Sequence, residues 1–261
     1  MRTALIDADI VAYMVAFRNE EGFDWEGDGN VVYAVEPEEA KRSADTVVNE
    51  YADTVNASRV IVCLTEPDPT KEWRRQFDPT YKQSRQGTRK PELLQYVKLY
   101  LANEWPSYIR PRLEADDIMG ILQTHPKLVQ GETVIVSADK DMRTIPGLLY
   151  NPNRTRGVER ISTLNANRML CWQTIVGDQV DNYPGAPRVG PLSPYARALE
   201  TIKDPHELWY TVVEAFDSVG LTEDDALHQA RLAHILRASS YNFKTKKVRL
   251  WNPTHLLIDF D

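Results

Sequence analysis

A chain of 261 residues with 42% hydrophobic side chains can bury a substantial core, as one large domain or as one domain with a smaller appendage. No apolar run approaches the roughly 20 residues that cross a bilayer, and the first residues lack the basic-then-apolar order of a signal peptide, so a soluble, intracellular protein is expected. The net charge of −7 argues against a nucleic-acid partner only if charge is spread evenly, and residues 71–112 hold ten Lys and Arg against four Asp and Glu.

In chain order, residues 3–7 form a short apolar run suited to a fully buried parallel strand, ending on Asp7. Asp9 follows, and then Ile10, Val11, Tyr13, Met14 and Phe17 predict a packed helix. Residues 20–30 are polar and glycine-containing and predict a loop, with a short strand at 31–35. Pro37 opens a helix to about residue 56, with proline at its first position and Glu38 and Glu39 in its first turn. A second buried strand at 59–65 runs into Glu66 and Asp68. The two cysteines, Cys63 and Cys171, lie in apolar surroundings without CxxC spacing and read as core residues.

The basic segment comes next, with Trp73-Arg74-Arg75, Tyr81-Lys82, Arg85 and Arg89-Lys90-Pro91, and a helix is expected at 91–103. Residues 113–120 then read Leu-Glu-Ala-Asp-Asp-Ile-Met-Gly, three carboxylates directly before an apolar helix. A helix start tolerates acidic residues because its free N–H groups are positive. Here, however, the cluster is one of four. Residues 133–137 form a third strand that ends in Ala-Asp139-Lys-Asp141, and 148–150 offers a fourth. Strands alternating with helices predict a mainly parallel sheet covered on both faces. Sites in such sheets form beyond the carboxyl ends of the strands, so Asp7, Asp139 and Glu66 or Asp68 should converge on one edge. Mutual repulsion among gathered carboxylates calls for cations.

After residue 151 an apolar helix end at 172–176 leads into Gly177-Asp178-Gln179-Val180-Asp181-Asn182 and a Pro- and Gly-rich turn through Gly185, Arg188 and Gly190. Helix, tight turn and helix present backbone N–H groups to a phosphate without reading bases. A further helix is expected at 223–238 and a strand at 247–251. The last forty residues carry no recognisable chemistry.

Five motifs in order identify a resemblance. Leu5-Ile-Asp-Ala-Asp9, Trp73-Arg74 with Tyr81-Lys82-Gln-Ser-Arg85, Glu114-Ala-Asp-Asp117, Ser137-Ala-Asp-Lys-Asp141 and Gly177-Asp-Gln-Val-Asp-Asn182 before Pro-Gly resemble the 5′ nucleases of the flap-endonuclease and 5′-to-3′ exonuclease type, most of all those of tailed bacteriophages. The resemblance implies a PIN-like α/β core at 1–160 with a helical arch or clamp at about 71–112, and a helix-hairpin-helix-like DNA-gripping region at 161–261. It implies two divalent ions held by Asp7, Glu114, Asp116, Asp117, Asp139, Asp141, Asp178 and Asp181, some through water. Lys82 would be the arch lysine near the scissile phosphate, with Arg85 beside it, and Arg74 and Tyr81 would position the phosphate or terminal nucleotide. The substrate would be duplex DNA with 5′ ends or flaps, and RNA on DNA, in a phage-infected bacterial cytoplasm. Two departures stand out. Where the family places an aspartate after the second strand, this chain offers Glu66 and Asp68 without choosing between them. Arg188 stands where a glycine is common, with Pro191 and Pro194 nearby, which argues against a monovalent cation such as K+ in the turn and leaves phosphate contact through Arg188 open.

The residue types carry their own chemistry. Hard oxygen donors, with none of the five histidines (His125, His206, His228, His234 and His255) in a cluster, select Mg2+ or Mn2+ over zinc. A lysine by a scissile phosphate stabilises developing charge, and Arg74, Arg75, Arg89 and Lys90 suit phosphate contacts whose affinity falls with salt. Two other classes compete. Asp7-Ala-Asp9-Ile-Val11 fits the nucleophile motif of a haloacid-dehalogenase-type phosphatase, which leaves 114–117 and the basic segment unexplained. A non-catalytic DNA-binding protein would use the basic segment alone, but it gains nothing from buried negative charge facing phosphates.

Overall fold

Both faces of β1 (Arg2–Asp7) are buried. Ala4 and Ile6 enter one apolar cluster and Leu5 another, so the strand requires cover above and below. The computed structural model describes residues 1–85, 87–154 and 157–258. α1 (Ala8–Arg18) starts directly at the strand end, capped by the Asp7 carboxylate, which accepts from the Ile10 N–H at 3.2 Å. The expected loop at 20–30 is corrected in part. β2 (Glu20–Phe23) and β3 (Val32–Val35) pair antiparallel as a hairpin, a pairing hidden in the sequence because neither strand has a buried face.

α2 (Pro37–Thr54) and β4 (Arg59–Leu64) fall close to the expected bounds. α3 (Trp73–Phe77) lies in the basic segment, and α4 (Leu94–Glu104) buries Val97 and Leu101 against the cluster under α1 and α2. Within residues 71–112, expected as an arch or clamp, α4 thus belongs to the helical layer, while Arg74, Tyr81, Lys82 and Arg85 come to the ends of the sheet strands. β5 (Ser107–Ile109), unforeseen because three residues show no period, pairs parallel with β4. α5 (Ala115–Thr124) packs over the opposite face with Ile118, Met119 and Leu122.

β6 (Glu132–Val136) and β7 (Gly147–Tyr150) extend the sheet in parallel, and β8 (Val158–Ile161), also unforeseen, closes it antiparallel. The strand order β5-β4-β1-β6-β7-β8 puts β1 between β4 and β6, so the ends of three sequence-remote strands share one edge. This mainly parallel sheet with helices on both faces is the fold class expected.

α6 (Thr163–Val176), α7 (Pro194–Ala198), α8 (Pro205–Asp217) and α9 (Glu223–Ala233) gather around a third cluster that includes Leu170, Ile175, Leu208 and Phe216. Tyr81 from the basic segment is buried in that cluster too. α9 stops at Ala233, short of the expected 238, because the chain turns extended at His234. The expected strand at 247–251 shortens to β10 (Lys247–Val248), paired with β9 (Tyr241–Asn242). α10 (His255–Ile258) follows, and residues 259–261 of the expected C-terminal region lie outside those described. No helix among the described residues is long and apolar enough to cross a membrane.

Candidate active site

Strand ends and helix starts place the acidic side chains. Asp7 closes β1 and is 3% exposed, accepting from Ser137 Oγ at 2.8 Å. Asp139 and Asp141 follow β6, joined by the Asp141 N–H donating to Asp139 Oδ1 at 2.8 Å. Glu114 caps α5 and Asp116 stands in its first turn. Asp181 arrives on the turn after α6. These residues line one cavity of about 150 Å³, with Lys82 and Arg85 in its wall. Lys82 donates to Glu114, and Arg85 to Asp181. The Lys82 backbone stands at φ +56 with its N–H on the Asp181 carbonyl at 2.9 Å. A non-glycine residue in that region is strained, and such strain persists only where the surroundings over-determine it.

Charge in the cavity is unevenly balanced. Burial, then the charge of Asp9, pushes Asp7 up to about 7. Burial and Asp139 do the same to Asp141, also to about 7. Asp116 rises well above the usual carboxylate range through burial and the charges of Asp7 and Asp139, and burial raises Asp139. Burial would raise Glu114 as well, but Lys82 and Arg74 outweigh it and hold Glu114 down to about 2. Lys82, penalised by burial, is held charged by Glu114 and Asp181. The Glu114 corner is neutralised and the Asp7–Asp116–Asp141 corner is not.

Other candidates are placed elsewhere. Asp117 is fully buried and saturated, accepting from Trp73 Nε1 at 2.8 Å, both Arg74 Nη atoms and the Leu236 N–H at 3.0 Å; it has no oxygen left to turn toward an ion. Arg74, expected on phosphate, is 2% exposed, with its guanidinium spent on Glu114, Asp117 and the carbonyls of Leu232 and His234. Tyr81 is buried, its hydroxyl 3.1 Å from Asp181 Oδ2, so it offers no face for a base to stack on.

Arg75 binds Glu72 and the Tyr81 carbonyl, and Arg89 binds Glu20. Lys90 is exposed beside a second cavity. Asp178 does not line the acidic cavity, though its charge helps raise Asp141, and it accepts from the Val180 N–H at 2.8 Å and from Lys140 at 3.2 Å. Asp68 caps its own turn through the Thr70 N–H, and Glu66 faces the second cavity.

In the glycine turn, Gly185 sits at φ +66 against the Ile175 carbonyl and the Gly177 N–H, where a Cβ would collide. Arg188 adopts φ +66, the conformation a glycine would take without cost. Gly190 is exposed, with open space around its Cα. Asp9 was missed as a site residue, although it opens α1 two residues after Asp7. It lines both cavities, pairs with Lys98 at 2.8 Å and accepts from the Thr65 N–H at 3.3 Å.

The donors fit a divalent ion. They are hard oxygens throughout, Asp141 Oδ1 is buried without a hydrogen-bond partner, and the raised carboxylates report negative charge that Lys82 and Lys140 offset only in part. Among the described residues no three His, Cys, Asp or Glu side chains meet on one point as they stand. Lys82, Arg85 and Lys140 hold Glu114, Asp181 and Asp178, so these three carboxylates can join an ion only once those contacts yield.

Comparison with known proteins gives a consistent picture. Residues 3–149 match the family described as 5′-3′ exonuclease, N-terminal resolvase-like domain. The chain is 30% identical over 213 residues to an exonuclease of Escherichia phage T7, covering 69% of this chain and 70% of that protein. It is 27% identical to the flap endonuclease Xni of Shewanella pealeana, covering 63% and 68% respectively. Among solved structures, phage T5 5′-exonuclease with bound zinc superposes with a TM-score of 0.64 over 89% of both chains at 15% identity, which speaks for the fold. A T5 flap endonuclease crystallised with DNA and metal ions gives 0.59 over 89% of both chains at 16%. With a matched segment spanning more than half of its length, the chain belongs to the 5′-to-3′ exonuclease family.

Proposed function

We propose that this chain is a divalent-metal-dependent 5′-to-3′ exonuclease on duplex DNA that also cuts 5′ flaps and removes RNA primers from DNA, with two Mg2+ ions for which Mn2+ substitutes. The observation that carries the reading is the meeting of Lys82 and Arg85, on a segment that crosses the sheet edge, with the acidic cavity at the ends of β1 and β6. Asp7, Asp116, Asp139 and Asp141 would hold the ions, with Glu114 and Asp181 joining when their cations turn to substrate. Bound there, the ions supply an activated water and neutralise the leaving oxygen in an in-line displacement.

The chain's own residues do the rest. Lys82 and Arg85 place positive charge at the rim, where a scissile phosphate can take it over from Glu114 and Asp181. The Arg74–Asp117 pair fixes the start of α5 and so the aim of Glu114 and Asp116. In the turn at 185–190, within a second region running from 161 onward, the N–H groups of Gly185, Ala186 and Val189 are bonded inside the protein, which leaves the exposed Arg188 and Gly190 to meet a duplex phosphate away from the cut. Binding is by structure and not base sequence, since no base-reading element is present among the described residues. The phage origin of the T7 relative favours action in an infected bacterial cytoplasm.

The test is a 5′-labelled duplex incubated with Mg2+, with EDTA and with Asp139→Asn. Release of mononucleotides or short oligonucleotides only with metal and only by the unmutated protein is expected. Binding without cutting under every metal would leave a non-catalytic DNA-binding protein as the account.

A further inference from the structure

A second cavity, of about 590 Å³, adjoins the acidic one and shares Asp9, Lys82 and Arg85 with it. Its volume is within the roughly 300–1,000 Å³ that takes one small-molecule ligand, which is room inside it for one or two nucleotides. Residues 66–85 and 87–91 roof it, and beyond the Arg74 clamp and the burial of Tyr81, two further sets of contacts hold this strap down.

Near its crown the strap is tied to the turn after α6. The Lys82 N–H donates to the Asp181 carbonyl at 2.9 Å, Ser84 Oγ to the Val180 carbonyl at 2.8 Å, and Asn182 Nδ2 to the Thr80 carbonyl at 2.9 Å. On its far limb Thr88 and Lys90 line the cavity while Arg89 between them reaches outward. Arg89 Nη1 and Nη2 each donate to Glu20 at 2.8 Å, its guanidinium carbon lies 3.3 Å from the Tyr33 ring centroid, and the Glu92 N–H adds a third bond to Glu20 at 3.0 Å. Glu20 and Tyr33 belong to the β2–β3 hairpin, which contributes nothing to either cavity. Bidentate, stacked arginine is the geometry that holds an element in one position.

We propose that the Glu20–Arg89–Tyr33 pin sets how long a single-stranded 5′ end the site accepts, by holding the strap closed over a cavity sized for one or two nucleotides. The proposal rests on the nuclease reading above. A blunt end or a short tail enters as the strap stands. A long tail needs the far limb to lift, and the pin opposes that.

The experiment compares Glu20→Gln and Tyr33→Ala with the unmutated protein on duplexes carrying a blunt 5′ end or a tail of about 10 nucleotides, a length that a single-strand groove spans. Both variants lie away from the acidic cavity, and amide exchange at 87–92 reports directly whether the limb has loosened. The unmutated protein should cut the blunt end faster than the tail. In the variants the tail-to-blunt ratio of kcat/KM should rise by up to about fivefold, the factor that one partly exposed ion pair can contribute, with faster exchange at 87–92 and the blunt-end rate retained. An unchanged ratio in both variants despite faster exchange, or an unmutated protein indifferent to tail length, overturns the proposal. Failure of the unmutated protein to cut either substrate would instead remove the nuclease reading on which it rests.

Discussion

Asp141 shows how a single carboxylate can be wrong for folding and right for function. One of its oxygens is buried without a partner, and burial together with Asp139 pushes it up to about 7 from 3.8. At 1.36 kcal/mol per unit, a shift of that size is about 4 kcal/mol against the ionised, ion-free protein at neutral pH, an upper bound once water and relaxation are allowed for. Asp141→Asn should therefore raise the melting temperature of the metal-free protein at neutral pH while lowering cleavage at least about 100-fold; a loss of stability without metal would contradict the account. Lys82 makes the converse case, a cation already partnered by Glu114 in a strained backbone conformation. Lys82→Ala should lower kcat by about 10²–10³ with a smaller change in KM, because its charge acts on the transition state, and single-turnover rates at saturating DNA would show it.

At the scale of elements, Arg74 joins three pieces of chain that are remote in sequence: α3, the start of α5, and the carbonyls at the end of α9. Removing one partner of a buried ion pair leaves uncompensated charge, so Arg74→Met should cost about 3–5 kcal/mol in urea unfolding, and Arg74→Lys should not restore it because an ammonium cannot fill the planar fork. Full stability in Arg74→Lys would refute that geometry. This clamp also marks the limit of what the sequence discloses. The buried strands β1, β4 and β6 were legible from unbroken apolar runs, and the convergence of Asp7 and Asp139 followed from strand ends in a parallel sheet, whereas Glu114 came from the resemblance and Glu66 and Asp68, expected at the same edge, do not line the acidic cavity. β2, β5 and β8 were not, since short or one-sided edge strands have no period to read. Arg74 and Asp117 were taken for surface and ligand residues because charge pattern does not tell a phosphate contact from a buried pair. The partners that decide it, at 232–236, lie in a stretch with no motif.

For the whole molecule, the acidic cavity makes stability, pH and metal one problem. Asp7 and Asp141 stand at about 7, and Asp116 and Asp139 are raised as well. A carboxyl with a raised native value binds more protons folded than unfolded between its two values, so Asp7 and Asp141 lower stability as pH climbs from about 4 to about 7, and Asp116 and Asp139 act in the same direction. Glu114 is shifted the other way, and its contribution is lost only as pH falls from about 4.5 toward 2, outside that window. The metal-free protein should therefore melt at a higher temperature at pH 5.5 than at pH 8. A divalent ion must displace the protons that those carboxyls retain, so it binds more weakly at pH 5.5 and its stabilising effect grows with pH. At 100 times its dissociation constant an ion adds about 2.7 kcal/mol, which for a protein of this size is roughly 5–10 °C in melting temperature. Thermal melts with and without Mg2+ at the two pH values should give a shift of that order at pH 8 and a smaller one at pH 5.5. An equal shift at both would mean that the ion sits on carboxylates already ionised at pH 5.5, away from Asp7 and Asp141.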